Sequence, residues 1–191
     1  MDTKKGMDLT KQAPRSPHAV VGGFKILGRT IDKCRAALFG NVGDYNFDCP
    51  LDNQLFSFMG IKGADFKAFV AEGHTDDKIV AWVKEHGTKK TEVEMTEWNK
   101  KVSENNYSEA PENKAWLEGE ATKLGMPKDT TLFDWLDKDD KVSFKDCKEC
   151  KECTCADSKD GVKCDCKGEK GCACGDKKGG EDCEKSETCQ V

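Results

Sequence analysis

Apolar residues recur at helical spacing in the first three-quarters of the chain. Phe24, Leu27, Ile31, Cys34 and Leu38 follow one another in steps of three or four residues, so they would line one stripe of a helix. A glycine two positions later can end that helix, because glycine readily adopts the left-handed conformation that follows a last turn. The pattern therefore predicts a helix that buries one face.

Shorter apolar groups bounded by glycines predict three further helices. Their apolar positions are Leu55, Phe56 and Met59, then Phe66, Phe69 and Val70, then Ile79, Trp82 and Val83. Asp52 is expected to cap the first of these helices, and Thr75 or Asp76 the third. Two longer polar helices are expected around residues 92–104 and 112–124, and a last apolar helix or turn around residues 132–136.

The predicted fold class is all-α, a small bundle of short helices followed by a cysteine-rich tail without regular secondary structure. No segment alternates apolar and polar residues for long, so little strand is expected. Helices this short need tertiary packing to be stable. We expect the four tryptophans to supply much of the core area, because a buried aromatic side chain contributes a large apolar surface.

The distribution of cysteines divides the chain in two. Of twelve cysteines only Cys34 and Cys49 precede residue 147, and all three histidines and every aromatic residue also precede it. This break predicts a flexible N-terminus over residues 1–7, a helical domain over residues 8–145 and a metal-thiolate tail over residues 146–191. The tail is rich in Lys, Asp, Glu and Gly and has too few apolar residues for a core of its own.

The ten cysteines of the tail have a spacing typical of soft-metal ligands. They are Cys147, Cys150, Cys153, Cys155, Cys164, Cys166, Cys172, Cys174, Cys183 and Cys189. A Cys-x-x-Cys step suits chelation of one tetrahedral ion, and a Cys-x-Cys pair can direct its sulfurs to one ion or to two neighbouring ions. The pattern is similar to that of a metallothionein. An all-sulfur shell favours Zn(II), with Cd(II) or Cu(I) as alternatives.

Three other interpretations of these cysteines are open from the sequence. A disulfide framework would need an oxidising compartment. An iron–sulfur cluster typically binds to a C-x2-C-x2-C-x3-C-P run of cysteines. Only one residue separates Cys153 from Cys155, so this run is absent here. A tail that only adds solubility would not need ten thiols. Reversible binding of soft metal remains the preferred interpretation.

Composition limits the remaining partners and the compartment. Charged residues make up 35% of the chain and the net charge is −5, with no basic face, so nucleic acid is not expected as a partner. No apolar run approaches the roughly 20 residues that span a bilayer, and the first residues do not form a secretory signal. We therefore expect a cytoplasmic protein that binds metal ions, without a membrane partner and with no protein partner assigned.

Charged residues on and after the first predicted helix are the candidates for a site in the helical domain. They are Arg29, Asp32, Lys33 and Arg35, with Tyr45, Asp48 and Asp52. Residues three or four apart, such as Arg29 and Asp32, share a helix face. The favoured interpretation is a set of salt bridges and caps that fix the turn at Asp52 against the helix, and a functional pocket is the alternative. No catalytic residue and no cofactor-binding motif is predicted.

The isolated cysteines and histidines of the domain are expected to have structural roles. Cys34 lies on the apolar stripe and is predicted to be a small core residue. Cys49 is interpreted as a partly buried structural residue, with a reactive thiol as the alternative. His74 is expected in a loop and His86 at the end of a helix, and neither is assigned a metal.

Six motifs in order resemble the bacterial domain-of-unknown-function family numbered 5069, over about residues 8–140. They are Asp8-Leu9-Thr10-Lys11-Gln12-Ala13-Pro14-Arg15-Ser16-Pro17, Gly22-Gly23, Arg29-Thr30-Ile31-Asp32-Lys33-Cys34-Arg35-Ala36, Tyr45-Asn46-Phe47-Asp48-Cys49-Pro50-Leu51-Asp52, Phe58-Met59-Gly60-Ile61 and Leu132-Phe133-Asp134-Trp135-Leu136-Asp137. The resemblance implies a small, mainly helical domain and no activity. The cysteine-rich tail is not part of the family pattern.

The sequence therefore favours storage, buffering or detoxification of soft metal by the tail, which is not an enzymatic function. The alternative is that the helical domain is an uncharacterised enzyme or ligand-binding module, and that the tail is a metal or redox sensor attached to it.

Overall fold

The computed structural model of the chain describes residues 6–144, and within them it forms seven helices. The helices are α1 (Leu27–Phe39), α2 (Pro50–Met59), α3 (Gly63–Ala71), α4 (Asp76–His86), α5 (Glu92–Ser103), α6 (Pro111–Lys123) and α7 (Leu132–Ser143). The predicted tail over residues 146–191, with all ten of its cysteines, lies outside the described residues, as does the start of the predicted N-terminal segment.

The all-α fold class is confirmed for the described part of the chain. There, an isolated bridge between Val21 and Phe24 is the whole of the β-structure. The glycine stops also hold: α1 ends at Gly40, whose φ of 73° is left-handed and whose N–H donates to a carbonyl of the last turn. No described helix is long and apolar enough to cross a bilayer.

The expected cap of α2 is wrong. Cys49 occupies the N-cap position, Pro50 is the first helical residue, and Asp52 lies inside the first turn. Proline suits that position because its φ is already helical and the missing N–H would have no partner within the helix. Asp52 is therefore free to bind groups outside α2.

A capping box fixes the start of α5. The Thr91 hydroxyl accepts a hydrogen bond from the Glu94 N–H at 3.2 Å, and the Glu94 carboxylate accepts one from the Thr91 N–H at 2.8 Å. These bonds satisfy two donors that a helix start otherwise leaves unpaired. The Thr91 N–H and the Thr91 hydroxyl both donate to the Glu94 carboxylate at 2.8 Å, and these two bonds lower the pKa of Glu94.

We predict that Thr91→Ala lowers the free energy of unfolding by about 1 kcal/mol, because alanine cannot accept the bond at the helix start. Urea unfolding followed by circular dichroism measures the change. Thr91→Ser keeps the hydroxyl and is the control. A loss of equal size in the serine variant would mean that the threonine methyl group, and not the cap, stabilises α5.

Helix α1 is the central element of the domain, and two apolar clusters form around it. It packs against α2 and α3, and α3 packs against α4. The first cluster joins residues from α1 to α4, including Ile31, Phe56 and Phe66. The second cluster joins the residue before α1 to α2, α5, α6 and α7, with Leu117 and Phe133 among its buried members. Residues 27–36 of α1 are all buried as a result.

The expectation that tryptophans supply much of the core is met only in part, because Trp82, Trp98 and Trp135 pack against the two clusters without being fully buried. Trp116 is 47% exposed, and the other three tryptophans are only partly buried. The largest fully buried side chains are instead the phenylalanines Phe24, Phe56, Phe66 and Phe133. An indole carries an N–H that needs a partner when buried, whereas a phenyl ring can be enclosed completely.

Candidate functional site

Four charged side chains of α1 lie in the interior of the domain. Arg29, Asp32, Lys33 and Arg35 are 2%, 4%, 3% and 8% exposed. Transfer of an isolated charge from water to such an environment is strongly unfavourable, so each must be paired and hydrogen-bonded. The partners come from four other segments of the chain and form three groups around α1.

The first group joins α1 to α7. Arg29 and Asp140 form a buried ion pair, with Nη1 to Oδ2 at 2.7 Å and Nη2 to Oδ1 at 3.3 Å. The Tyr45 hydroxyl donates to the same carboxylate at 2.7 Å, and the Arg29 guanidinium lies over the Tyr45 ring. Burial, followed by the neighbouring Asp140 carboxylate, raises the pKa of Tyr45. The hydroxyl therefore keeps its proton and acts as a donor.

The second group is a chain of alternating charges that joins α1 to α4. Arg15 donates to both carboxylate oxygens of Asp32 at 2.8 Å, and its Nη1 donates to Asp76 at 2.6 Å. Arg35 binds the other oxygen of Asp76 at 2.7 Å and donates to the His74 carbonyl at 2.9 Å. Burial alone would raise the pKa of Asp76, but the two arginines outweigh it and hold the pKa below its ordinary value.

The third group joins α1 to the start of α2. Lys33 Nζ contacts three acceptors, the Asp52 carboxylate at 2.9 Å, the Asn46 carbonyl at 3.0 Å and the Cys49 sulfur at 3.2 Å. Asp52 is 0% exposed and also accepts the Thr30 hydroxyl at 2.7 Å. The ammonium group has three hydrogens, so the three contacts use all of them.

Asp48, the last of the candidate residues, shapes the loop before α2. Its backbone is left-handed, with a φ of 62°, and its N–H donates to Asp52 at 3.0 Å. Asn53 in turn donates to the Asp48 carbonyl and carboxylate. Asp48 itself is exposed, so its hydrogen bonds stabilise the loop at the protein surface.

These contacts confirm the interpretation as salt bridges that fix Asp52 against α1. Arg29 and Asp32 share a helix but bind different segments. Sequence reasoning missed the partners Arg15, Asp76 and Asp140. Arg15 lies within the first of the resembling motifs, which could have indicated it. The local pattern marks Asp76 only as a candidate helix cap, and no local pattern marks Asp140.

A comparison with known protein families shows which family this domain belongs to. A family model described as Domain of unknown function (DUF5069) matches residues 11–142. The chain belongs to this family. The match supports the resemblance drawn from the motifs and places the cysteine-rich tail outside the DUF5069 domain. No curated protein matches the chain.

The histidines of the DUF5069 domain bind separate partners. His18 contacts Asp134, His74 contacts Glu72, and His86 contacts a backbone carbonyl one turn earlier. His74 lies between α3 and α4 and His86 ends α4, as expected. Among residues 6–144, no three His, Cys, Asp or Glu side chains are grouped so that they could hold a metal ion.

The two thiols of the DUF5069 domain differ in their surroundings. Cys34 is 0% exposed in the first apolar cluster, as predicted, and burial raises its pKa to about 12. Cys49 is partly buried and packs against the second cluster. It also lies close enough to Tyr107 to raise the pKa of that tyrosine, after the larger effect of burial.

Alkaline pH should therefore destabilise the domain through Cys34. In the unfolded chain the thiol ionises near an ordinary pKa of about 8.5, whereas in the folded domain it stays protonated up to about pH 12. The folded state then binds more protons, and stability falls by about 1.4 kcal/mol per pH unit above pH 9. Urea unfolding between pH 9 and 10 should show that extra slope in the wild type and not in Cys34→Ala. Equal slopes would mean that the Cys34 thiol ionises in the folded domain as well.

A groove of about 570 Å³ lies at the loop between α5 and α6 of the DUF5069 domain. Gln54, Trp98, Asn105 and Tyr107 are among its lining residues. Tyr107 has a left-handed backbone, with a φ of 58°, although it is neither glycine nor asparagine. Its N–H donates to the Asn105 side chain at 2.9 Å, which holds the conformation. Strained residues of this kind cluster at functional sites.

Proposed function

We propose that this protein binds soft metal ions through its ten C-terminal cysteines, for storage, buffering or detoxification in the bacterial cytoplasm. The observation that carries the proposal is the spacing of the cysteines. Three Cys-x-Cys pairs, Cys153/Cys155, Cys164/Cys166 and Cys172/Cys174, lie within a segment of 22 residues. The two sulfurs of a Cys-x-Cys pair can bind one ion or two neighbouring ions, which favours clusters with bridging thiolates.

The chemistry around the cysteines supports the same proposal. The tail holds neither histidine nor aromatic residues, so thiolates are its soft ligands, and these favour Zn(II), Cd(II) or Cu(I) over hard cations. Lysines such as Lys148, Lys151 and Lys163 adjoin the cysteines in sequence. Their charges would offset part of the negative charge of a metal-thiolate cluster and favour the thiolate form of the ligands.

The first test is the number of ions bound. Bridging thiolates should allow ten cysteines to hold about three or four tetrahedral Zn(II) or Cd(II) ions, whereas separate four-cysteine sites would hold about two. Native mass spectrometry of the full chain, purified from cells grown with zinc, cadmium or copper, measures the stoichiometry. A limit of about two divalent ions would replace bridged clusters by separate sites.

Two matched variants test whether the tail cysteines or the two cysteines of the helical domain bind the metal. A variant with serine at all ten tail positions keeps Cys34 and Cys49 and should bind none of the tightly held ions. A double variant, Cys34→Ala with Cys49→Ser, should bind as many ions as the wild type. Retention of metal by the first variant would overturn the proposal, because the ions would then be bound elsewhere.

Acid and oxidant should both release the metal. Ligand thiols must lose protons to bind, and free cysteine has a pKa of about 8.5, so lowering the pH returns protons and displaces metal. A disulfide sulfur is a poor ligand, so a mild oxidant should have the same result. The thiolate-to-metal absorption of the Cd(II) form follows both titrations. An absorption band that survives the oxidant, with no free thiols in the purified protein, would indicate disulfides in place of metal ligands.

A second proposed function is that the helical domain binds a small ligand in the groove at the α5–α6 loop and that the tail senses metal or redox state. The groove's volume of about 570 Å³ falls in the range of small-molecule sites, and strained Tyr107 lines it. Deleting the tail distinguishes the two functions. If metal tolerance of cells depends on the tail alone, metal storage is supported; if the tail-less chain retains a cellular effect, the domain has a function of its own.

A further inference from the structure

We propose that Lys33 and Cys49 form a covalent modification site, at which a peroxide joins the lysine nitrogen to the cysteine sulfur through one bridging oxygen. The proposal concerns the helical domain and does not depend on metal binding by the tail. It rests on two reacting side chains that the fold brings into contact although they are 16 residues apart.

The lysine is held in place at the sulfur. Its Nζ lies 3.2 Å from Cys49 Sγ, and the side chain is 4% exposed. The Asp52 carboxylate and the Asn46 carbonyl bind the same nitrogen at 2.9 and 3.0 Å. A surface lysine moves among many rotamers, whereas burial and three acceptors hold this one in place, so its nitrogen is kept near the sulfur.

The two thiols of the described domain provide a contrast in access. Cys49 is partly exposed at the first turn of α2, whereas Cys34 is 0% exposed. Oxidation of a cysteine requires contact with the oxidant and loss of the thiol proton. Cys34 meets neither requirement, because it is fully enclosed and because burial raises its pKa to about 12. It is an internal reference thiol within the same fold.

The reaction balances with two molecules of peroxide. In the first step the Cys49 sulfur attacks one peroxide oxygen, an S–O bond forms as the O–O bond breaks, and the products are a sulfenic acid and water. In the second step Lys33 passes its extra proton to Asp52 and reacts as an amine. The N–O bond forms, two electrons and two protons pass to the second peroxide, and that peroxide becomes two molecules of water.

An oxygen bridge suits this separation better than a direct bond. Lys33 Nζ and Cys49 Sγ are too far apart for an S–N bond, which would pull α1 and the start of α2 together. One oxygen atom fills most of the gap. The proton transfer also keeps the interior neutral, because the ammonium and the Asp52 carboxylate, 2.9 Å apart, lose their charges together.

The experiment uses the full chain, loaded with zinc and treated with hydrogen peroxide. After digestion with trypsin, mass spectrometry should find the peptides containing residues 33 and 49 joined, with the added mass of one oxygen less two hydrogens. Cleavage after Lys33 should be lost at the same time, and a thiol reductant should restore both peptides. The same treatment in concentrated urea should give no joined peptides, because the contact exists only in the folded domain.

Three variants separate the crosslink from ordinary oxidation. Cys49→Ser should give no joined peptide, and Cys34→Ala should give as much as the wild type. Lys33→Arg keeps a cation opposite Asp52 but has no amine, so Cys49 should proceed to sulfinic acid instead. The native and urea samples of the wild type decide the question even if this last variant does not fold. Oxidation of Cys49 in the native wild type with Lys33 unmodified, or equal crosslinking in urea, would overturn the proposal, as would a Cys49 that peroxide leaves unchanged.

Discussion

Replacing Asp140 by alanine should lower the free energy of unfolding of the domain by about 3–5 kcal/mol. The change leaves Arg29, whose side chain is 3% exposed, with a buried charge and no carboxylate 2.7 Å away. It also removes one acceptor of the Tyr45 hydroxyl. Urea or thermal unfolding followed by circular dichroism measures the loss. α7 should separate from α1 first, and this is detectable as faster hydrogen exchange of the α7 amides.

The neighbouring aspartate is a matched control for that experiment. Asp139 lies on the same helix, and burial, Asp140 and Glu120 raise its pKa, so its charge is unfavourable in the folded state. Asp139→Ala should leave stability within about 0.5 kcal/mol of the wild type or raise it slightly. The double variant Arg29→Met with Asp140→Leu should be more stable than Asp140→Ala, because no buried charge is left alone. Equal losses in the Asp139 and Asp140 variants would show that α7 tolerates no alanine there, whatever the ion pair contributes.

Asp52→Ala should have an effect of similar size, about 3–5 kcal/mol. Asp52 is 0% exposed and binds three groups, the Lys33 ammonium, the Thr30 hydroxyl and the Asp48 N–H. Alanine leaves all three without that carboxylate, and the first of them carries a buried charge. The loss is measured as a shift of the urea midpoint, with the slope of the transition unchanged.

Variants of single partners divide this effect into its parts. Thr30→Val removes one hydrogen bond to the Asp52 carboxylate and should cost about 1–3 kcal/mol, less than loss of the carboxylate itself. Asp44 is exposed, so Asp44→Ala should change stability by no more than about 0.5 kcal/mol. If Thr30→Val costs as much as Asp52→Ala, the hydroxyl bond and not the ion pair to Lys33 is the main contribution of Asp52.

The helices could be predicted from the sequence because their signals are local. Apolar spacing located α1 to α4, and the structure ends α1 and α2 at Gly40 and Gly60 as glycine stops indicate. The position of Asp52 could not be predicted in the same way. It resembles a helix cap, but Pro50 starts the helix earlier, and the carboxylate binds Lys33 instead.

The choice of core side chains depends on how elements pack, which spacing alone does not determine. Trp116 was expected in the core and is 47% exposed, with its ring edge against Trp135. Phe133, only two positions before Trp135, is fully enclosed. Neighbouring aromatic residues of α7 thus differ in burial because they lie on different faces of one helix.

The pairing of buried charges was the hardest part of the site to predict. Arg29 and Asp140 are 111 residues apart, and Arg15 and Asp76 are 61 apart. Helical spacing identifies neighbours on one helix but carries no information about which distant segment will pack there. The ten cysteines of the tail stay a prediction, since their evidence is the spacing itself and they lie outside the described residues.

The buried ion pair between Arg29 and Asp140 has a consequence for synthesis on the ribosome. The carboxylate is made 111 residues after the guanidinium, which at ordinary translation speeds is a delay of roughly 6–20 s. During that interval Arg29 must stay hydrated, because no carboxylate is yet available to it at the end of α7. The contact of α7 with α1 therefore forms late in synthesis. A nascent chain stalled before residue 140 should be captured by chaperones that bind exposed apolar surface.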